Sequence, residues 1–251
     1  MMEIRKTIGI FVAFVLLSDS SWNVDKFITD LKELWNIDFS KAHRNENTLV
    51  ESYGDGYVGV TFVSSPIPGQ EAEQCAALNY MWPEATDIVK SHKAHIIITV
   101  TGDETGVIEN AKMITKIADA CLKQENAIAV YSDGMVHHPA YYGFIAQCMK
   151  DGELPILDWV WLGIAKSGDI PGIYTYGLRK FGKEEIEVYA DAEFKDVRNF
   201  VLNMVDYVLS NDATLNDGDT IGFSDDQRLP VSLSKGIAID GQTIKIQYPK
   251  E

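Results

Sequence analysis

Apolar and polar positions along the chain change period in a readable order. Ile8 to Leu17 (IGIFVAFVLL) is a continuous apolar run rich in Ile, Val and Phe, which suits a buried strand. Asn23 then stands as an N-cap before a helix in which Val24, Phe27, Ile28, Leu31, Leu34 and Trp35 recur at helical spacing. Thr48 to Tyr53 and Tyr57 to Ser64 read as short strands, and Gly54-Asp55-Gly56 between them has the composition of a tight hairpin turn. Beyond the Pro66 to Gly69 loop, Glu71 to His92 predicts a helix that Pro83 kinks or splits, because proline removes a backbone donor and clashes with the preceding turn. His95 to Thr101 (HIIITVT) closes the series as a buried strand. The order β-α-β-β-α-β is that of a ferredoxin-like fold, an antiparallel sheet with helices on one face.

Val107 to Lys123 continues as a helix with Ile108, Ala111, Ile114, Ile117, Ala118, Cys121 and Leu122 on one face; Ala127 to Tyr131 is a strand and Tyr141 to Met149 a short helix. Trp159 to Ala165, Ile173 to Leu178 and Glu185 to Tyr189 then form a strand meander. Phe194 to Leu209 is an amphipathic helix with Phe194, Val197, Val201, Val205 and Val208 on one stripe, and Gly222, Gly236 and Gly241 punctuate the closing strands up to Tyr248. The expectation is an α+β chain of two domains. Residues 1–152 would be the ferredoxin-like domain with an extra helix-strand-helix, and 153–251 a second α+β domain with antiparallel strands and one long helix.

The strand Trp159-Val160-Trp161, the stretch YTYGLRKFGKEEIE from Tyr174 to Glu187 and the closing strands resemble the bacterial domain-of-unknown-function family DUF4261, mainly over residues 155–248. The matching pattern is Thr175-x-Gly177-Leu178-x-x-Phe181-Gly182-x-x-Glu185-Ile186-Glu187, followed by a long helix. The resemblance implies architecture and carries no activity with it. The residues can be read without it. Gly177 and Gly182 let the chain bend or approach another backbone, and Leu178 and Phe181 anchor it to the core. Glu185 and Glu187 alternate with Ile186 and Val188, so one strand face is apolar and the other carries carboxylates. A second reading makes Gly177, Phe181 and Glu185 part of a ligand-contacting edge.

Charge narrows the partners. Against 37 acidic residues stand 22 Lys and Arg, a formal net charge of -15. That field repels a phosphate backbone, and the densest basic stretch, Arg179, Lys180 and Lys183, runs straight into Glu184, Glu185 and Glu187. Nucleic acid is therefore not an expected partner; the excess acid reads first as a solvated surface that favours solubility, with steering of a basic protein partner as the sharper alternative. Met1 to Lys6 before the first apolar run imitates a secretory signal. The β-type composition of the run, its direct lead into the helix start at Asn23 and the poor cleavage match of Ser18-Asp19-Ser20 predict a strand instead, in a cytoplasmic chain. The run is also far short of the ~20 apolar residues that span a membrane.

Candidate chemistry is sparse. Cys75, Cys121 and Cys148 form neither a CxxC pair nor a disulfide framework and read as reduced residues on apolar helix faces. His92 and His95 have metal-ligand spacing only if one helix ran through both; the strand signal from His95 opposes that, and helix C-terminal placement accounts for His92. Tyr80, Trp82, Tyr141, Tyr142, Trp159 and Trp161 suit core packing before a recognition surface. The most suggestive polar cluster is Asp133, His137 and His138 with Tyr141, expected in a loop after a strand, where general-base and hydrogen-bonding groups often sit. No serine elbow, HExxH, phosphate-binding glycine loop or dinucleotide fingerprint accompanies it. No cofactor and no metal are expected. The preferred reading is a non-catalytic cytoplasmic binding protein, with an immunity-like role as one version. The alternative is an enzyme or small-molecule binder with a pocket between the halves near Asp133, His137 and His138.

Overall fold

The computed structural model describes residues 9–102, 106–222, 224 and 227–249, so Ile8 of the first predicted strand lies outside it. The chain divides into two compact units, Gly9–Asp158 and the residues from Trp159 onward. The division falls after Asp158 and not after Gly152, because the short helical segments that follow the first sheet stay with the first unit.

In that unit β1 (Phe11–Leu17) leads to α1 (Val24–Trp35), β2 (His43–Arg44), β3 (Thr48–Tyr53) and β4 (Gly56–Val63). Next come α2 (Glu71–Ala76), α3 (Ala85–Lys90), β5 (Ala94–Val100), α4 (Val107–Cys121), β6 (Ala127–Ser132), β7 (Met135–His137), α5 (Pro139–Ala146) and α6 (Ile156–Trp159), whose last residue already counts with the second unit. Asn23 caps α1 as expected, its side chain accepting from the Lys26 N–H. Pro83 falls in the segment that separates α2 from α3, so the long helix expected there is two short ones.

The seven strands form one sheet of order β2-β3-β4-β5-β1-β6-β7, every neighbouring pair antiparallel. This corrects the ferredoxin-like expectation. In a split β-α-β unit the strands flanking the helix run parallel around one intervening strand. Here β1 and β3, the strands expected on either side of α1, have β2 between α1 and β3 in the chain, are separated in the sheet by β5 and β4, and run in opposite directions; β4 and β5, which flank α2 and α3, are direct antiparallel neighbours. Element order alone does not encode that choice, since a long helical excursion can return to either side of a sheet. Helices also cover both faces. Leu16, Ala129 and Tyr131 pack with Ala72, Ala76, Trp82, Ala85 and Val89 of the α2–α3 region. The alternate residues Val15 and Leu17, fully buried, point to the other face, where α4 packs on β1 and β5 and α1 on α4.

The second unit contains β8 (Trp161–Ser167), β9 (Ile170–Tyr176), β10 (Ile186–Tyr189), α7 (Phe194–Ser210), β11 (Thr220–Ile221), β12 (Leu229–Lys235) and β13 (Gln242–Ile246). Its sheet order is β11-β12-β13-β10-β9-β8, antiparallel except for the parallel pair β10–β13. Val197, Val201, Val205 and Val208 of α7 are buried, whereas Phe194, expected on the same stripe, is exposed at the helix start. Trp159 and Trp161, expected together on the strand Trp159 to Ala165, are divided: Trp159 ends α6 and only Trp161 is on β8.

Candidate functional site

The predicted cluster around His137 is a hairpin and a helix cap, not a loop. Asp133 and Gly134, with φ of 55° and 77°, form the tight turn between β6 and β7, and the Ser132 hydroxyl donates to the Asp133 carboxylate at 3.3 Å. His137 pairs with Val130 on β7 and is buried between Tyr141, whose ring lies parallel at 6.4 Å, and Tyr142 at 5.6 Å. Its Nε2 has no hydrogen-bond partner among the described residues, and burial depresses its pKa to about 4, so it is neutral at physiological pH. His138 turns elsewhere. Its Nδ1 accepts the Ala140 N–H as the N-cap of α5, and its ring meets Trp82 edge-on at 4.9 Å. Asp133, His137 and His138 therefore serve a turn, a core strand and a cap.

His92 and His95 both tie down the loop between β4 and α2. His92 Nε2 accepts the Ile67 N–H at 2.9 Å, which leaves Nδ1 as the donor to the Val89 carbonyl at 2.6 Å, at the C-terminus of α3. His95 Nδ1 lies 2.8 Å from the Ser65 carbonyl. All three cysteines are free thiols, and burial raises each: Cys75 and Cys121 upward, Cys148 to about 11. A nucleophilic cysteine needs the opposite shift.

In the second unit the predicted edge is a buried knot. The Glu185 carboxylate is 2% exposed and accepts from the Thr175 hydroxyl at 2.7 Å, the Gly177 N–H at 2.8 Å and the Arg179 N–H at 3.2 Å. Thr175 Oγ1 in turn accepts the Ile186 N–H at 2.8 Å. Gly177 has φ 129°, and a Cβ there would run into the Trp159 carbonyl oxygen. Leu178 and Phe181 are buried, the Phe181 ring 5.4 Å from Trp159. Glu187 is fully buried and accepts from the Ile237 and Ala238 N–H groups and from Lys245 Nζ, each at 3.1 Å. Burial pushes its pKa up, but these donors outweigh that and hold it below the ordinary value. The alternation that predicted an outward carboxylate face is real; loop backbone and Lys245 cover that face, so the carboxylates point into donors and not into solvent.

Residues 174–247 match the model of the family described as Domain of unknown function (DUF4261). No curated protein and no solved structure matches the chain. Within the matched segment the stretch from Thr175 to Glu187 is thus a turn locked by the buried Glu185 carboxylate, while Glu187 fastens β10 to the segment between β12 and β13.

The concave site is in the other unit and was not anticipated. A cleft of about 610 Å³ opens beside the start of α1, between the β1–α1 connection, the segment entering β6 and the region of Arg44, Glu46, Asn47 and Phe62. Its wall is cross-braced. The Gln124 side chain accepts the Asn23 N–H at 2.9 Å and donates to the Asn23 carbonyl at 3.2 Å, and Asn126 Nδ2 donates to Asp19 Oδ1 and to the Ser21 carbonyl, both at 2.9 Å. Ser21 also donates its hydroxyl to Asp19. The Ser21 and Asn126 hydrogen bonds hold the Asp19 carboxyl below its usual pKa, so it stays ionised. Trp22 lies against Phe62 in the lining, ring centroids 6.2 Å apart, and its buried indole N–H has no hydrogen-bond partner among the described residues.

Charges in this lining are unequal. Arg44 is paired with Asp25 at 2.7 Å and Lys26 with Asp30 at 2.7 Å, whereas Asp19, Glu46 and Glu125 form no salt bridge among the described residues. The sequence hides this site because Gln124 and Asn126 reach the α1 start from a hundred positions away. The local signal was an apolar strand ending in Asp19-Ser20-Ser21 before an N-cap, a common place for ligand contacts beyond the carboxyl end of a strand.

Proposed function

We propose that this is a non-catalytic binding protein whose Gly9–Asp158 unit receives a cationic group, a lysine or arginine side chain of a basic protein partner, in the cleft beside α1. The observation that carries the reading is the imbalance in the lining. Both of its cations are already paired, and the carboxylates of Asp19, Glu46 and Glu125 line the cleft without an ion-pair partner among the described residues. The Trp22 and Phe62 rings add a surface on which a guanidinium packs favourably. The net charge of -15 supports the same class of partner by steering, and an immunity-like role, neutralising a basic toxin in a bacterial cytoplasm, is the version it favours. Among the described residues no helix is long and apolar enough to cross a membrane.

Titration calorimetry with an arginine-rich peptide tests the site. The triple variant Asp19→Asn, Glu46→Gln, Glu125→Gln is expected to weaken binding at least tenfold. A control with equal charge removed from α7 and its surroundings (Asp196→Asn, Asp206→Asn, Glu193→Gln) should lose little. Equal losses in the two variants would mean a general acidic field, and no binding by the wild type would remove the reading.

A further inference from the structure

Asp158, on α6, is buried at 3% exposure, and neither of its carboxylate oxygens has a hydrogen-bond partner among the described residues. Its electrostatic neighbours are Asp119 of α4, Tyr142 of α5 and Cys148 of the turn after α5. Tyr142 is in turn coupled to Cys121 and bonded to Thr115, both of α4, and Cys148 feels Asp151 and Glu153. The contrast with Asp119 is chemical. Asp119 is fully buried but saturated, accepting from Lys123 Nζ at 2.9 Å on one oxygen and from Trp35 Nε1 at 3.1 Å and Gln147 Nε2 at 2.9 Å on the other. Lys123 is therefore committed to Asp119. Of two neighbouring buried carboxyls, the one with donors takes the charge and the one without them keeps its proton.

We infer that Asp158 is a proton-operated latch: its neutral carboxyl lets α6 pack among α4 and α5, and ionisation drives α6 out of that packing. The inference does not rest on the cleft. The sign follows from the environment. Burial first, and then the negative charge of Asp119, hold the Asp158 proton well above the ordinary carboxyl value of 3.8. The folded state therefore keeps a proton that the unfolded chain releases. Stability tied to the neutral form is complete below 3.8 and is lost as pH rises from there towards the raised folded value.

Urea unfolding of the wild type and Asp158→Asn across the acidic to mildly alkaline range reads this out. The amide cannot ionise, so the ratio of the two unfolding constants is expected to shift in favour of the variant by up to about tenfold per pH unit in that window. A ratio independent of pH, or one that moves against the variant as pH rises, overturns the inference. Wild-type protein alone gives a second test should the variant fold poorly. The Asp158 carboxyl, followed by NMR through the shift of its carbon, is expected to titrate above the ordinary carboxyl value of 3.8, and titration at or below that value overturns the latch. Amide exchange of residues 156–159, referenced to intrinsic rates, should lose protection as pH rises; unchanged protection across the Asp158 titration would show that its proton does not hold α6.

Discussion

His137 and His138 are consecutive, yet the strand that carries the first and the cap that uses the second give them opposite sensitivities. Replacing His137 by Gln places an amide where no partner reaches the ring's Nε2, and should cost about 1–3 kcal/mol near pH 8. That deficit should shrink on acidification. The folded pKa of about 4 lies below the reference 6.5, so the wild type loses stability as pH falls between those values, by on the order of 3 kcal/mol in all, while the glutamine variant does not. His138→Ala removes a cap and should cost roughly 1 kcal/mol, with the loss of stability on acidification that His137 causes left in place. Thermal melts of both variants at pH 8 and pH 5 check this, and equal pH profiles would contradict the burial of His137. Glu185→Gln is a third case. It turns one acceptor oxygen of a three-donor pocket into a donor, with an expected loss of roughly 2–3 kcal/mol in urea unfolding. None of these burials is legible from residue type: a Glu alternating with Ile reads as surface until the loop that covers it is known.

At the scale of elements, local pattern predicted well and long-range pairing poorly. The β1 run, the Asn23 cap, the hairpin at Gly54, the α4 and α7 periodicities and the break at Pro83 depend on neighbours within a few positions, and all have counterparts in the structure. The three-residue β7 was missed because a strand that short carries no period, although Asp133-Gly134 is the hairpin signal that marked it. The placement of β5 between β4 and β1 is set by packing on both sheet faces, which no local pattern records. Phe181 shows where local and tertiary information agree. Its place between Leu178 and Gly182 suggested an anchor, and its ring is buried against Trp159. Phe181→Ala should therefore destabilise the unit that carries it by about 3–5 kcal/mol, as a buried aromatic leaves a cavity. An unchanged melting temperature would mean that the turn between β9 and β10 does not depend on its anchor.

For the whole molecule, a net charge of -15 acts on stability and on recognition with opposite signs, which makes ionic strength a discriminating variable. Like charges on a folded chain repel one another more than on the expanded unfolded one, and salt screens that repulsion over a Debye length of about 10 Å at 0.1 M. Raising salt from about 0.01 to about 0.15 M should therefore raise the melting temperature. The same screening weakens attraction between the open, exposed carboxylates of the cleft and a basic peptide, so affinity should fall over that range, chiefly through slower association. The triple cleft variant separates local from global charge. Its residual peptide binding should depend less on salt, since three carboxylates of the cleft lining are gone. Stopped-flow association rates and melting curves measured on the same samples check both signs. If affinity were insensitive to salt while stability responded, binding would be governed by the Trp22 and Phe62 surface and not by the carboxylates beside it.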